Sequence, residues 1–70
     1  MLWHIRVSHN IYKIGYDIST ETLAIIFSDR SIRYYRPVPY SLYSRFAYAQ
    51  FPDRFYRKVI EGKIPAVISA

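Results

Sequence analysis

Seventy residues without a cysteine exclude a disulfide framework and a thiolate metal site, so packing alone must stabilise a chain near the lower size limit for one core. A hydrophobic content of 51%, with 19% aromatic residues, can supply that packing, because each buried ring removes about 150–250 Å² from water. The net charge is +5, and no apolar run approaches the ~20 residues that span a bilayer, which leaves a soluble, cytoplasmic domain over residues 1–70 as the expectation.

The first seven residues are too short and too interrupted for a signal-peptide core. They alternate loosely, Trp3, Ile5 and Val7 against His4 and Arg6, and predict an edge strand over residues 2–7. Ser8-His9-Asn10 punctuates the chain. Ile11 to Tyr16 is a second strand, in which Gly15 marks a bulge or a close backbone approach. Asp17 to Glu21 carries turn chemistry, since Asp17 and Ser19 can bond their own backbone. Thr22 to Ser28 is apolar on both faces and reads as a central strand.

Asp29-Arg30 is expected to form a two-residue hairpin turn into a strand over Ser31–Arg36. That turn opposes Phe27 to Ile32 and Ile25 to Tyr34, and leaves Ala24, Ile26, Arg33 and Tyr35 on the other face. A slip of one residue would exchange Tyr34 and Tyr35. Arg30 stands where glycine would be easiest.

Val38-Pro39 opens a helix with Pro at its first position, and Leu42, Phe46 and Ala49, with Tyr43 beside them, form a stripe toward the sheet. Pro52 restarts the helix. Phe55, Tyr56, Val59 and Ile60 are its apolar positions, and Arg54, Arg57 and Lys58 share its polar face. Gly62 is a C-terminal cap, with Lys63 beside it and Pro65 beyond. Ala66 to Ser69 is either a short added strand or a packed extension. The fold class is α+β: a three- to four-stranded antiparallel β-meander packed by one or two C-terminal helices.

The charge is unevenly placed. Residues 1–29 carry Arg6 and Lys13 against Asp17, Glu21 and Asp29, a balance of −1; residues 30–70 carry eight cations against Asp53 and Glu61, a balance of +6. Seven of the ten cations are arginine, whose planar fork suits phosphate and stacks on rings.

Catalysis finds little support. His4 and His9 have no cysteine partner, the five carboxylates are scattered through turns and helix ends, and the two glycines build no phosphate loop. No catalytic residue, metal ligand or cofactor is assigned. Ser8 beside His9 reads as an exposed loop pair, because neighbours in an extended chain point to opposite faces.

Cations and rings do interleave over Arg30–Arg36, and a second basic cluster lies at Arg54, Arg57 and Lys58. Arg33, Tyr35, Arg36, Arg54, Arg57 and Lys58 are therefore the candidate nucleic-acid contacts: the cations on phosphates, Tyr35 or Tyr34 stacking on a base. Solvated helix arginines and ordinary strand tyrosines are the plain alternative.

Ser8, Ile11, Ile14-Gly15-Tyr16-Asp17, Leu23, Phe27, Tyr35, Val38-Pro39, Tyr43, Phe46, Ala49, Tyr56 and Ile60 stand in a familiar order and spacing. Over about residues 8–61 the chain resembles the KTSC domain family, which includes short bacterial and phage proteins and the C-terminal appendage of some lysyl-tRNA synthetases. Three departures stand out. The family's Tyr-x-Tyr is Arg33-Tyr34-Tyr35, the glycine of the preceding turn is Arg30, and the later Ser-x-Gly is Phe51-Pro52-Asp53. The synthetase association implies RNA, in preference to DNA, as a ligand.

Two readings follow, both non-catalytic. One is a nucleic-acid-binding accessory module. The other is a protein-interaction module, such as a small phage or bacterial regulator of a host enzyme, that docks on an acidic protein surface through the same arginines and tyrosines. Homodimerisation through the edge strand is compatible with either. Membrane-surface binding is not expected, because Phe55 and Ile60 go to the core.

Overall fold

The computed structural model describes residues 2–5 and 8–67. Among them, five strands form one antiparallel sheet in chain order: β1 (Leu2–Ile5), β2 (Ile11–Asp17), β3 (Thr22–Phe27), β4 (Ile32–Tyr35) and β5 (Ala66–Val67). The tail is thus an added strand, pairing Ala66 with Tyr35 and Val67 with Tyr34. The sheet is one strand wider than the sequence reading. The parts of the first strand and the tail expected at Arg6, Val7, Ile68 and Ser69 lie outside the described residues.

Local chemistry sets the turns. The Asp17 carboxylate, at the end of β2, accepts the Ser19 backbone N–H at 3.1 Å and the Ser19 hydroxyl at 2.8 Å, the turn chemistry expected of it. Gly15 is a close approach and not a bulge: Trp3 pairs with it, and a Cβ there would lie 2.6 Å from Trp3 Cε3. The irregularity in β2 falls instead between Ile11 and Lys13.

The β3–β4 hairpin differs from the expected register by one residue. Ile26 pairs with Ile32, Ile25 with Arg33, Ala24 with Tyr34 and Leu23 with Tyr35. The cause is a three-residue loop, Ser28-Asp29-Arg30, bracketed by the Phe27 N–H to Ser31 carbonyl bond at 2.9 Å. Arg30 N–H bonds the Phe27 carbonyl at 2.9 Å, and Arg30 itself takes φ 74°. This is the loop in which a type I turn is followed by a left-handed residue. The Asp29 carboxylate holds it by accepting the Ser31 N–H at 2.9 Å and hydroxyl at 2.6 Å.

Helices cover one face of the sheet. Pro39 caps α1 (Tyr40–Ala47) in extended geometry, one position before the helix proper. Pro52 opens α2 (Pro52–Phe55), which runs on as a π-helical turn, Tyr56–Ile60, closed by the Glu61 N–H to Tyr56 carbonyl bond at 2.8 Å. A type II turn follows, with Gly62 at φ 76° and Lys63 N–H bonded to the Ile60 carbonyl.

The core forms between Ile11, Ile14, Tyr16, Leu23, Ile25 and Tyr35 of the sheet and Tyr43, Phe46, Ala47, Tyr56 and Ile60 of the helical layer. Ile14, Leu23, Ile25 and Ile60 are wholly buried, and such a side chain contributes about 1.5–3 kcal/mol relative to exposure. Tyr16 is stacked on Tyr43 at 4.7 Å and donates its hydroxyl to the Val38 carbonyl at 2.6 Å, so a ring of β2 anchors the entry to α1. The stripe toward the sheet is accordingly Tyr43, Phe46 and Ala47; Leu42 and Ala49 are half-buried.

Candidate nucleic-acid interface

Two concavities meet where the Ser8–Asn10 loop faces α2. The larger, about 820 Å³, is lined by Ser8, His9, Phe51, Arg54, Arg57 and Lys58 among others. The smaller, about 290 Å³, holds Arg33, Arg57 and Tyr56 opposite Asp29, Asp53 and Glu61. Arg57 and Asp53 line both.

The helix positions explain the cation cluster. With Tyr56 and Ile60 turned into the core, Arg54, Arg57 and Lys58 remain on the exposed side of the same segment. The Arg54 guanidinium lies 5.2 Å from the centroid of Phe51, a cation–π contact between two residues that line the groove. Phe51 is 57% exposed. Sequence reasoning passed over it as a site residue; its place just before Pro52, facing the basic stretch, was the available signal.

Asp53 is the groove's carboxylate, and it is occupied. It accepts the Ser8 hydroxyl at 3.0 Å and the Asn10 backbone N–H at 3.4 Å, and so ties the loop before β2 to the first turn of α2. The tie spans 45 positions of sequence, which no local pattern announces.

Arg33 stands at the edge of the helix-covered face, exposed, 5.6 Å from the centroid of Phe27. The neighbouring Tyr35 hydroxyl, and then that of Tyr56, raise its pKa above the ordinary guanidinium value. The two hydroxyls bond one another at 2.5 Å. Burial, then this bond, pushes the Tyr56 pKa up to about 12. The Ser31 hydroxyl lowers that of Asp29.

The six residues expected to bind nucleic acid therefore divide. Arg54, Arg57 and Lys58 share one groove, and Arg33 adjoins it through Arg57. Arg36 is exposed just after β4, before a cis Pro37, and lines neither concavity. Tyr35 is a correction. It is 3% exposed, packed edge-on to Tyr56 in the core, because the three-residue loop turns it inward; a ring so enclosed offers no face to a base. Tyr34 takes the opposite, helix-free side.

Neither histidine has metal company. His4 lies edge-on to Tyr48, while His9 lines the larger groove. Among the described residues no group of three or more His, Cys, Asp or Glu could hold a metal ion, and no helix is long and apolar enough to cross a membrane.

A five-stranded antiparallel sheet with one helix-covered face defines a small α+β domain. A family model for the KTSC domain matches residues 7–63, and the chain belongs to that family. It is similar to the crystal structure of a KTSC domain protein from Yersinia pestis, with a TM-score of 0.88 and 29% identity, over 97% of this chain and 96% of that one. No curated protein matches the chain.

Proposed function

We propose that the chain is a non-catalytic binding module for nucleic acid, RNA in preference to DNA, that grips phosphates with Arg54, Arg57, Lys58 and Arg33. The supporting observation is the groove beside α2, where three cations and the exposed Phe51 converge and the one carboxylate is already engaged by Ser8 and Asn10. Arginine forks neutralise phosphates, and a ring beside them suits an unpaired base, which RNA loops and ends present. A module of this kind works in the cytoplasm.

Titration of labelled single-stranded RNA at low and physiological salt tests the reading. Binding that tightens as salt falls supports it, because phosphate contacts release counterions. No binding at low salt overturns it.

One observation favours a protein partner as the second reading. Asp29, Asp53 and Glu61 line the smaller concavity with Arg33 and Arg57, a mixed-charge surface that a protein carrying both signs of charge complements. Salt-insensitive association with one protein, free of nucleic acid, would select that reading.

A further inference from the structure

The helices leave the other side of the sheet open. By strand alternation and register it carries Trp3 and Ile5 of β1, Lys13 and Gly15 of β2, Ala24 and Ile26 of β3, and Ile32 and Tyr34 of β4. Tyr12, beside the irregularity in β2, is exposed next to Lys13.

Trp3 lies down on this surface. Three of its ring atoms would come within 2.9 Å of a Cβ on Gly15, so only glycine lets the indole rest against the β2 backbone. The ring nonetheless remains 48% exposed, and Tyr12 is 46% exposed. Lys13 Nζ is 5.7 Å from the centroid of each, a cation between two rings.

We propose that this face is a stacking platform for the bases of a single-stranded nucleic acid, with Trp3 and Tyr12 as its rings and Lys13 for the adjoining phosphate. The proposal rests on the nucleic-acid reading of the groove and adds a second surface to it. Unpaired bases stack on aromatic side chains whatever their sequence, whereas a duplex keeps its bases stacked on each other.

Charge and continuity favour that occupant. Among the described residues, the one carboxylate that alternation puts on this side is Asp17, at the end of β2 and bonded to Ser19. A third concavity, about 450 Å³, runs from Tyr12 and Ile26 past Arg30 to Ser8, and Ser8 also lines the cationic groove. A strand held at Arg54, Arg57 and Lys58 thus finds cations and rings along one path to the open face. A second copy of the chain would bring another molecule at +5 against the face that holds Lys13.

Trp3 is the only tryptophan, so its emission reports on this face alone. The experiment titrates the whole chain with a single-stranded oligouridylate and, separately, with inorganic polyphosphate, which carries the charge without bases. The oligonucleotide should quench Trp3 and polyphosphate should not. Tyr12→Ala, whose folding is checked by thermal unfolding, should weaken the oligonucleotide about fivefold or more and leave polyphosphate unchanged.

Oligonucleotide binding with Trp3 emission unmoved and Tyr12→Ala as tight as wild type would overturn the platform while leaving the groove standing. Failure of both ligands to bind at low salt would overturn both. A concentration-dependent dimer that shifts Trp3 emission to the blue, with no response to the oligonucleotide, would assign the face to a second copy instead.

Discussion

The hydroxyls of Tyr35 and Tyr56 lie 2.5 Å apart inside the core, joining β4 to the π-helical turn. Removing either oxygen takes away the other's buried partner and leaves the Arg33 guanidinium as its polar neighbour. Tyr35→Phe or Tyr56→Phe should each cost about 1–2 kcal/mol in urea unfolding, and the double variant less than their sum. Strict additivity would show that the two hydroxyls do not depend on one another.

The same pair gives the fold an alkaline limit. The Tyr56 pKa is about 12 in the fold against an ordinary 10.0, raised first by burial and then by the Tyr35 bond, with Arg33 acting in the other direction. Tyr16 and Tyr43 are also raised, by burial first. The native state therefore holds these protons more tightly than the unfolded chain. That stabilisation is complete below pH 10 and is lost as pH climbs toward 12, by on the order of 2 kcal/mol for Tyr56. Thermal midpoints should fall over this window in wild type and fall less steeply in Tyr56→Phe. Equal slopes would exclude Tyr56 as the source.

Gly15→Ala should move Trp3. The new Cβ would sit 2.6 Å from the indole, and the half-exposed ring can lift away from the sheet more easily than the backbone can yield. A red shift of tryptophan emission and a loss of about 1–2 kcal/mol are expected. Unchanged emission would contradict the close approach.

Arg30→Gly should stabilise the chain by about 0.5–1 kcal/mol. A non-glycine residue at φ 74° carries a steric cost of about 1–2 kcal/mol, partly offset by the extra freedom glycine brings to the unfolded chain. A lowered thermal midpoint would mean that the Arg30 side chain supports the loop in a way its backbone angle does not disclose.

The three hairpins and the order of the first four strands were legible because turn chemistry at Ser8–Asn10, Asp17–Glu21 and Asp29-Arg30 separates apolar runs. Register was not. Asp29-Arg30 looks like a two-residue turn in sequence, and only the left-handed Arg30 reveals the third loop residue, which exchanges Tyr34 for Tyr35 on the open face. Helical spacing correctly gathered Arg54, Arg57 and Lys58. The π-helical turn did not show, since five residues are too few to display a longer period. The bonds from Ser8 and Asn10 to Asp53, and the cluster of Asp29 and Glu61 near Arg33, join distant parts of the chain and have no local signature.

The central claim is that the groove beside α2 holds phosphate. Its most direct test is anisotropy of labelled single-stranded RNA over a salt series, with wild type, Arg54→Ala/Arg57→Ala/Lys58→Ala, and Arg36→Ala. With Arg33, four cations on four phosphates give a slope of log affinity against log salt near −3, at about −0.7 per phosphate. The triple variant should lose about two units of that slope and at least tenfold in affinity, while Arg36→Ala stays within about twofold of wild type. A triple variant that binds like wild type, with the same salt slope, would contradict the account.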